Sequence, residues 1–261
     1  MTTSILFVGD VVASAGRRAL RRLLPGLRDE LGADFVVVNG ENAAGGVGIT
    51  AKTAADIFDA GADVITLGNH TYRHREVYRY LDSEPRIVRP ANFLPSQPGH
   101  GTCVVERGGA TLGVVNLSGN LYMNAGRPAF VEIDAALEEV RGADHVLVDM
   151  HAEATSEKIA LGWHLDGRVT AVVGTHTHVP TNDARVLPGG TAYITDVGMT
   201  GARGGVIGVV KEESIEHLRS QMPVRYGAAE ADPWVNAVLV RCSSPGRADS
   251  IEPVLRSAES S

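Results

Sequence analysis

Short apolar runs rich in β-branched residues alternate with amphipathic stretches along the chain. The runs lie at residues 5–8, 35–38, 64–67, 146–148, 171–173 and 193–195. Each run has the length and composition of a buried strand. Helical patterns separate the early runs, at residues 17–31, 51–60 and 73–81. This alternation predicts an α/β protein in which neighbouring strands run parallel.

Two features modify this pattern. Residues 103–106 and 112–115 are strand-like runs divided by Gly108 and Gly109, which predicts a hairpin that opens a second sheet. Pro25 falls inside the first helical pattern. That helix therefore either kinks at Pro25 or restarts with the proline in its first turn.

The chain is predicted to form one domain over residues 1–261. Its length is enough to bury a sizeable core. Apolar residues make up 44% and charged residues 21%, as in soluble globular proteins. Residues 89–101 contain three prolines and predict an ordered connection. The tail is polar after Ser243, and we expect it to fray beyond residue 256, with residues 258–261 as its free end.

Charge and cysteine content limit the partners and the compartment. A net charge of −7 argues against a broad surface for duplex nucleic acid, so a nucleotide would be bound locally. Cys103 and Cys242 lack CxxC spacing, which predicts two buried free thiols in a reducing cytoplasm. The apolar start has no Lys or Arg before it and contains Asp10, unlike a signal peptide. No run approaches the ~20 apolar residues of a membrane helix, so we expect a cytoplasmic protein without a membrane partner. A homo-oligomer is expected from the base rate for compact enzymes alone.

Metal-capable side chains follow the apolar runs at five places. The segments are Val8-Gly9-Asp10, Asn39-Gly40-Glu41-Asn42, Leu67-Gly68-Asn69-His70, Val148-Asp149-Met150-His151 and Val173-Gly174-Thr175-His176-Thr177-His178. The carboxyl ends of strands in an α/β sheet share one crevice, which is where ligands bind. The five segments are therefore expected to meet.

Seven of these side chains are candidate metal ligands. They are Asp10, Glu41, Asn42, Asn69, His151, His176 and His178. His176 and His178 are two residues apart, so in an extended segment their rings would point to the same face. Seven ligands exceed the needs of one tetrahedral zinc site, which favours two ions. A carboxylate can bridge two ions that generate hydroxide for in-line attack on phosphorus, and Glu41 is the predicted bridge.

Taken singly, several of these residues could serve ordinary structural roles. Asp10 could cap the helix that follows its strand, and Glu41 and Asn42 could be turn residues before the glycine-rich loop 45–48. That loop lacks the Walker lysine and the Rossmann spacing, so backbone turning is its expected role. His151 alone could be a core histidine. The coincidence of five strand ends favours the metal site.

The roles of other basic side chains stay open. Arg89, Lys158 and Arg203 are candidate phosphate contacts by charge type, with solvated or ion-paired roles as the alternative. Five further histidines lack matching partners in the sequence and are expected to be structural or at the surface. They are His74, His100, His145, His164 and His217.

Six sequence blocks resemble the YmdB-type branch of the calcineurin-like metallophosphoesterases. They are residues 40–44 (GENAA), 68–70 (GNH), 88–93 (VRPANF), 151–158 (HAEATSEK), 174–178 (GTHTH) and 192–201 (AYITDVGMTG). The resemblance spans nearly the whole chain. It implies a four-layer αββα sandwich, with two mixed sheets flanked by helices, and two metal ions, commonly iron or manganese.

The resemblance also implies a role for each site residue. One ion would be held by Asp10, Glu41, Asn42 and His178, and the other by Glu41, Asn69, His151 and His176. His70 would be the catalytic residue outside the metal shell, by donating a proton to the leaving oxygen or stabilising phosphoryl charge.

Four positions depart from the broader superfamily pattern and match the YmdB-like branch. Val12 replaces a histidine, Glu41 replaces the bridging aspartate, Thr71 replaces an acid, and Thr175 separates Gly174 from His176. The resulting oxygen-rich shell favours manganese or iron over zinc.

The branch implies hydrolysis of phosphodiesters, notably 2',3'-cyclic nucleotides, so the expected partner is a small nucleotide or phosphodiester. A phosphomonoesterase with the same metals, or a metal-binding regulatory protein, are the alternatives.

Overall fold

The computed structural model describes residues 2–259. In chain order the strands are β1 (Thr3–Val8), β2 (Phe35–Asn39), β3 (Val64–Thr66), β4 (Ile87–Val88), β5 (Thr102–Arg107), β6 (Ala110–Ser118), β7 (His145–His151), β8 (Ala171–Thr175), β9 (Arg185–Val186), β10 (Ala192–Ile194), β11 (Gly201–Ala202), β12 (Pro233–Cys242) and β13 (Ser250–Ser257). The helices are α1 (Ala13–Leu31), α2 (Ala51–Asp59), α3 (Tyr78–Ser83), α4 (Ala129–Glu139), α5 (Thr155–His164) and α6 (Lys211–Ser220), and a 3-10 helix, Arg75–Val77, precedes α3.

The strands form two mixed sheets. The first sheet has the order β11-β12-β1-β2-β3-β4, with β13 paired to β12. Strands β1 to β4 run parallel, whereas β12 is antiparallel to β1. The second sheet has the order β5-β6-β7-β8-β10-β9, and its central strands β6, β7, β8 and β10 run parallel.

Alternation along the buried strands produces four layers. Leu6 and Val8 of β1 pack towards α1 and α2, whereas Ile5 and Phe7 pack with residues of the second sheet, including Leu147. Since successive side chains of a strand point to opposite faces, the apolar residues 5–8 of β1 supply both cores. The second sheet packs its outer face on α4 and α5. The expected αββα sandwich of two mixed sheets is confirmed.

Three predictions of local structure can be compared with the structure. The first helix begins at Ala13 and continues through Pro25 without restarting. The third helical pattern is divided into a 3-10 helix and α3. The expected hairpin at Gly108 and Gly109 is present as β5 and β6, paired antiparallel, and it does belong to the second sheet.

The expected fraying after residue 256 is wrong for the residues that the structure describes. Arg256 and Ser257 pair with β12, and Ala258 is 6% exposed, with its N–H donating to the carbonyl of Pro233 at 2.7 Å. The strand persists because β12 supplies backbone partners for each of its residues. Ser260 and Ser261 lie outside the described residues.

Two expectations about the cellular compartment, one on the cysteines and one on membrane helices, can be compared with the structure. Cys103 and Cys242 are free thiols, and Cys242 is buried as expected, but Cys103 is only partly buried. Within residues 2–259, none of the helices combines the length and apolarity that a membrane crossing requires.

Candidate metal centre

The predicted ligands lie together where strands of both sheets end. Asp10, Glu41 and Asn42 follow β1 and β2 of the first sheet, and His151 ends β7 of the second. Asp10, Glu41 and His151 have no exposed surface and Asn42 is 2% exposed. Asn69 is exposed, and His176 and His178, which follow β8, are partly buried. The structure thus brings all seven side chains to one edge.

Three of the side chains converge on a ring nitrogen of a fourth, His151. Nε2 of His151 lies 3.1 Å from Oε1 of Glu41, 3.0 Å from Oδ1 of Asn69 and 3.1 Å from Nδ1 of His176. Ligand atoms about 2.1 Å from one ion, at tetrahedral or octahedral angles, lie about 3.0 to 3.4 Å apart. The spacing therefore fits a single ion shared by these four residues.

The other predicted group surrounds His178. Its Nε2 lies 3.2 Å from Nδ2 of Asn42 and 3.7 Å from Oδ1 of Asp10. The amide oxygen of Asn42 faces Nδ1 of His70 at 2.9 Å. Because an amide nitrogen is not a metal ligand, Asn42 could hold an ion beside His178 only after its amide turns over, which exchanges the two atoms in place.

Glu41 lies between the two groups. Its Oε1 is 3.1 Å from Nε2 of His151 and accepts a hydrogen bond from Nδ2 of Asn42 at 3.0 Å. Its Oε2 accepts from the backbone N–H of His70 at 3.1 Å. One carboxylate therefore reaches both groups of ligands, as a bridging residue must.

Asp10 supplies independent evidence that a cation fits here. Among the described residues, its Oδ1 atom is buried without a hydrogen-bond partner, although Oδ2 accepts from the backbone N–H of His176 at 3.2 Å. A buried carboxylate oxygen without a partner is costly. A bound cation would remove that cost.

Hydrogen bonds behind the histidines set which ring nitrogen faces the cluster. Nδ1 of His151 donates to Oγ1 of Thr175 at 2.9 Å, and the Thr175 hydroxyl donates to Oδ1 of Asp149 at 2.7 Å. Nδ1 of His178 donates to the carbonyl of Ile207 at 2.8 Å. In both rings Nε2 is therefore the nitrogen that faces the cluster, which is the arrangement that metal-binding histidines use.

The electrostatics of the cluster also favour a bound cation. Burial raises the pKa of Asp10. Burial also opposes the charge of Glu41, but His151 and His70 hold the pKa of Glu41 well below its usual range. Burial disfavours the charged form of His151, yet Glu41 and Asp10 outweigh it and raise the pKa of His151 to about 9. Burial and the charge on His151 lower the pKa of His176 to about 3. The cluster favours one added positive charge at its centre.

The segment that carries His176 and His178 is not extended. Strand β8 ends at Thr175, and His176 and His178 have φ angles of 93° and 65°, in the left-handed region that non-glycine residues rarely adopt. The prediction that both rings lie on one face of an extended segment is therefore wrong. The rings reach the cluster from a strained turn, and strain of this kind persists only where surrounding contacts enforce it.

A buried ion pair enforces that turn. Nζ of Lys158 lies 2.7 Å from Oδ2 of Asp196, and neither side chain is exposed. The same carboxylate oxygen accepts from the backbone N–H of Thr177 at 3.2 Å and from its hydroxyl at 2.5 Å. Thr177 stands between the two histidines, so this pair fixes the residue on which both ligand positions depend.

The structure assigns the open basic residues to roles outside the cluster. Lys158 is ion-paired. Arg89 is buried and donates to the carbonyl of Pro90 at 2.8 Å, and Arg203 lies with its guanidinium carbon 4.4 Å from the ring centroid of Trp234.

Sequence reasoning missed Glu153, Asp149 and Asp196 as site residues. Oε2 of Glu153 lies 3.0 Å from Nε2 of His176, on the ring nitrogen that faces away from His151. Asp149 could have been found, because it is two residues before His151 on β7 and so shares its face. No local spacing links Asp196 to the site.

A cavity of about 380 Å³ opens over the cluster. Glu41, Asn42, His70, His176 and His178 line its polar part. His70 is 35% exposed at the side chain and its Nδ1 faces Asn42. Among the described residues no group engages Nε2 of His70, which leaves this nitrogen for a bound molecule. A small molecule can thus reach the ligand cluster and His70 together.

A protein-family model described as YmdB-like protein matches residues 6–254. The chain belongs to the YmdB-like protein family. This confirms the resemblance that the six sequence blocks indicate. Within the matched range, Glu41, His151 and His176 form a group that could hold a metal ion, with ligand atoms that all lie within 4.8 Å of one another.

Two relatives match almost all of this chain. A Bacillus subtilis (strain 168) protein named 2',3'-cyclic-nucleotide 2'-phosphodiesterase is 45% identical over 237 residues, which are 90% of this chain and 90% of that protein. The crystal structure of a hypothetical protein from Thermus thermophilus is 44% identical, with a TM-score of 0.92, and the match covers 98% of this chain and 99% of that chain.

A more distant structure shows the fold of the YmdB-like chain in a larger protein. A putative 5'-nucleotidase from Staphylococcus aureus matches with a TM-score of 0.64 at 15% identity, over 100% of this chain and 55% of that chain. At this identity the likeness concerns the fold alone.

Proposed function

We propose that the chain is a dinuclear metal-dependent phosphodiesterase that hydrolyses 2',3'-cyclic nucleotides. The observation that carries the proposal is the position of Glu41, whose Oε1 lies within 3.1 Å of His151 and of Asn42. One ion would be held by Glu41, Asn69, His151 and His176. The other would be held by Asp10, Glu41, Asn42 and His178. The B. subtilis relative, which bears the name of this activity at 45% identity, supports the choice of substrate.

The chemistry divides between the ions and the chain's own residues. Two bound ions would lower the pKa of a water molecule and draw charge from the phosphoryl oxygens. Oxygen and imidazole ligands suit iron or manganese, and iron or manganese are the ions that we propose. His151 and His178 would present Nε2 to the ions because Nδ1 of each ring donates a hydrogen bond, to Oγ1 of Thr175 and to the carbonyl of Ile207. Glu153 orients His176 in the same way through Nε2.

His70 would act on the substrate rather than on the ions. Asn42 and Glu41 lie against its Nδ1 atom, at 2.9 Å and 3.2 Å, so its ring is oriented. Its Nε2 atom is then placed to donate a proton to the leaving ribose oxygen, or to donate a hydrogen bond to the phosphoryl group.

The reaction is tested with protein reconstituted with manganese or iron and supplied with 2',3'-cyclic AMP. We expect turnover that is lost on chelation and in His151→Ala. The matched variant is His145→Ala, which removes a histidine that is 2% exposed from the opposite end of the same strand and should keep turnover. Adenosine monophosphates, assayed in parallel, should be poor substrates. Faster hydrolysis of the monophosphates would replace the proposal with a phosphomonoesterase, and no turnover by metal-loaded protein would favour a regulatory protein.

Gly68→Ala is expected to weaken metal binding about 10- to 100-fold. A methyl group at Gly68 would overlap the imidazole of His151 and the carboxylate of Glu41, so both must shift from their shared geometry. Metal content after dialysis measures the effect. Gly26→Ala is the control, since nothing lies within 4 Å of its methyl position in α1, and it should stabilise the fold by up to about 1 kcal/mol. Equal metal content in the two variants would contradict the proposed ligand geometry.

A further inference from the structure

The cavity over the ligand cluster continues into an apolar part that the proposed chemistry does not use. Six of its lining residues carry apolar or aromatic side chains: Val12, Val47, Ile207, Val209, Tyr226 and Ala228. Val47, Ile207 and Tyr226 are 38%, 53% and 47% exposed. Large apolar side chains that stay exposed beside a polar cluster are typical of ligand pockets.

The segments at 206–209 and 226–228 form one wall of this part, the apolar shelf. Val209 pairs in isolated bridges with both Val206 and Ala228, and the backbone N–H of Val210 donates to the carbonyl of Gly227 at 2.9 Å. The shelf is fixed to the cluster because the carbonyl of Ile207 accepts from Nδ1 of His178 at 2.8 Å. A ligand on the shelf is therefore held at a set distance from His178.

The loop 45–48 contributes a second wall with almost no side chains. Gly45 and Gly46 have φ angles of 68° and 97°, and nothing lies within 4 Å of the methyl position of either. Val47 is the one large side chain of the loop, and its carbonyl lies 2.9 Å from Nε2 of His74. The loop leaves room for a flat group beside Val47.

The side chains of these two walls favour a flat group that can stack on an aromatic ring. The shelf offers aliphatic surface and the ring of Tyr226, which contacts the His217 ring edgewise at 5.8 Å between centroids. Glu213 of α6 accepts a hydrogen bond from the backbone N–H of Gly227 at 2.5 Å. Flat apolar groups stack on aromatic rings without needing specific hydrogen bonds. The cavity of about 380 Å³ is within the range for small-molecule sites, about 300 to 1,000 Å³.

We propose that the apolar shelf binds the nucleobase of the substrate, with Tyr226 as the stacking residue and Val47 and Ile207 beside it. The inference rests on the proposed function and adds a specificity determinant to it. The phosphodiester lies at the ligand cluster and the base lies on the shelf. Tyr226 contributes by stacking its ring on the base, so a substrate that lacks a base gains nothing from this residue.

Two substrates separate this role from the metal chemistry. The first is 2',3'-cyclic AMP, and the second is methyl ribofuranoside 2,3-cyclic phosphate, which keeps the sugar and the cyclic diester but lacks the base. The measured quantity is the ratio of kcat/KM for the first substrate to kcat/KM for the second. This ratio does not depend on how much of a variant folds or retains metal, because the same active molecules process both substrates.

Tyr226→Ala should lower the ratio about tenfold, as expected for loss of one aromatic stacking contact. Tyr226→Leu, which keeps apolar contact with His217, should lower it similarly, and Tyr226→Phe should leave it near the wild-type value. Tyr122→Ala is the matched control, since Tyr122 is 90% exposed and lies outside the cavity, and its ratio should not change.

The two proposals fail in different ways. If the wild type hydrolyses 2',3'-cyclic AMP but Tyr226→Ala and Tyr226→Leu keep its ratio, the base does not bind the shelf and only this inference is overturned. If the metal-loaded wild type hydrolyses neither substrate, the proposed function is overturned and the inference with it.

Discussion

His70→Ala is expected to lower kcat for 2',3'-cyclic AMP by about 10²- to 10⁴-fold, the range for losing one general acid, while metal content stays at the wild-type level. The reason is its position: His70 is oriented by Asn42 and Glu41 but is not among the side chains that converge on His151. Metal analysis and steady-state kinetics on the same sample measure both quantities.

The control for this substitution is His164→Ala. His164 is an exposed histidine on α5 that contacts Arg168, and removing it should change neither kcat nor metal content. A second substrate tests whether His70 acts as a general acid. Bis(p-nitrophenyl) phosphate has a weakly basic leaving oxygen that needs little protonation, so His70→Ala should lose less activity on it if His70 is the acid. Full activity of His70→Ala on the cyclic nucleotide would remove His70 from the mechanism.

Lys158→Met is expected to destabilise the chelated protein by about 3 kcal/mol. The substitution leaves Asp196 with no exposed surface and without its cation, and breaking a buried pair from one side costs about 3–5 kcal/mol. The lower end applies because Asp196 keeps the donors of Thr177 and Gly198. Denaturant unfolding in the presence of chelator measures the change without a contribution from metal binding.

Lys211→Met makes the same substitution in an exposed pair. Lys211 lies 3.8 Å from Glu212, with side chains 59% and 69% exposed. The free energy of unfolding of Lys211→Met should therefore differ from the wild-type value by less than about 0.5 kcal/mol. Lys158→Met should also bind metal more weakly than Lys211→Met, because the turn of His176 and His178 loses its support. Equal stability of the two variants would show that the buried pair does not hold this turn.

The strand ends were predictable because one rule acts at each of them. A fully apolar run predicts a strand buried on both faces, and the residue after it falls at the sheet edge where ligands bind. Asp10, Glu41 and His151 all follow from that rule, and the layers follow from the period of two along β1. This much needed no knowledge of which strands pair.

The parts that were not predictable depend on contacts between distant residues. Lys158 and Asp196 are 38 residues apart, so the left-handed turn that they support has no local signal. Strand β13 was missed because its buried residues, Ile251 and Val254, are three apart, which breaks the period of two that identifies a strand. Its stability comes from pairing with β12, which the sequence of β13 does not reveal.

The apolar part of the cavity, formed by the shelf and Val47, was missed for a related reason. Val47 is far from Ile207 and Tyr226 in the sequence, and each alone is an ordinary surface residue. Only the fold brings them to the cavity that contains His70 and His178.

The measurement that tests the two-metal account most directly is a titration of chelator-treated protein with manganese, with turnover of 2',3'-cyclic AMP recorded at each addition. If Glu41 bridges two ions that act together, turnover should stay low below one ion per chain and reach its maximum at two ions per chain. A maximum at one ion per chain, or turnover that persists without metal, would contradict the account.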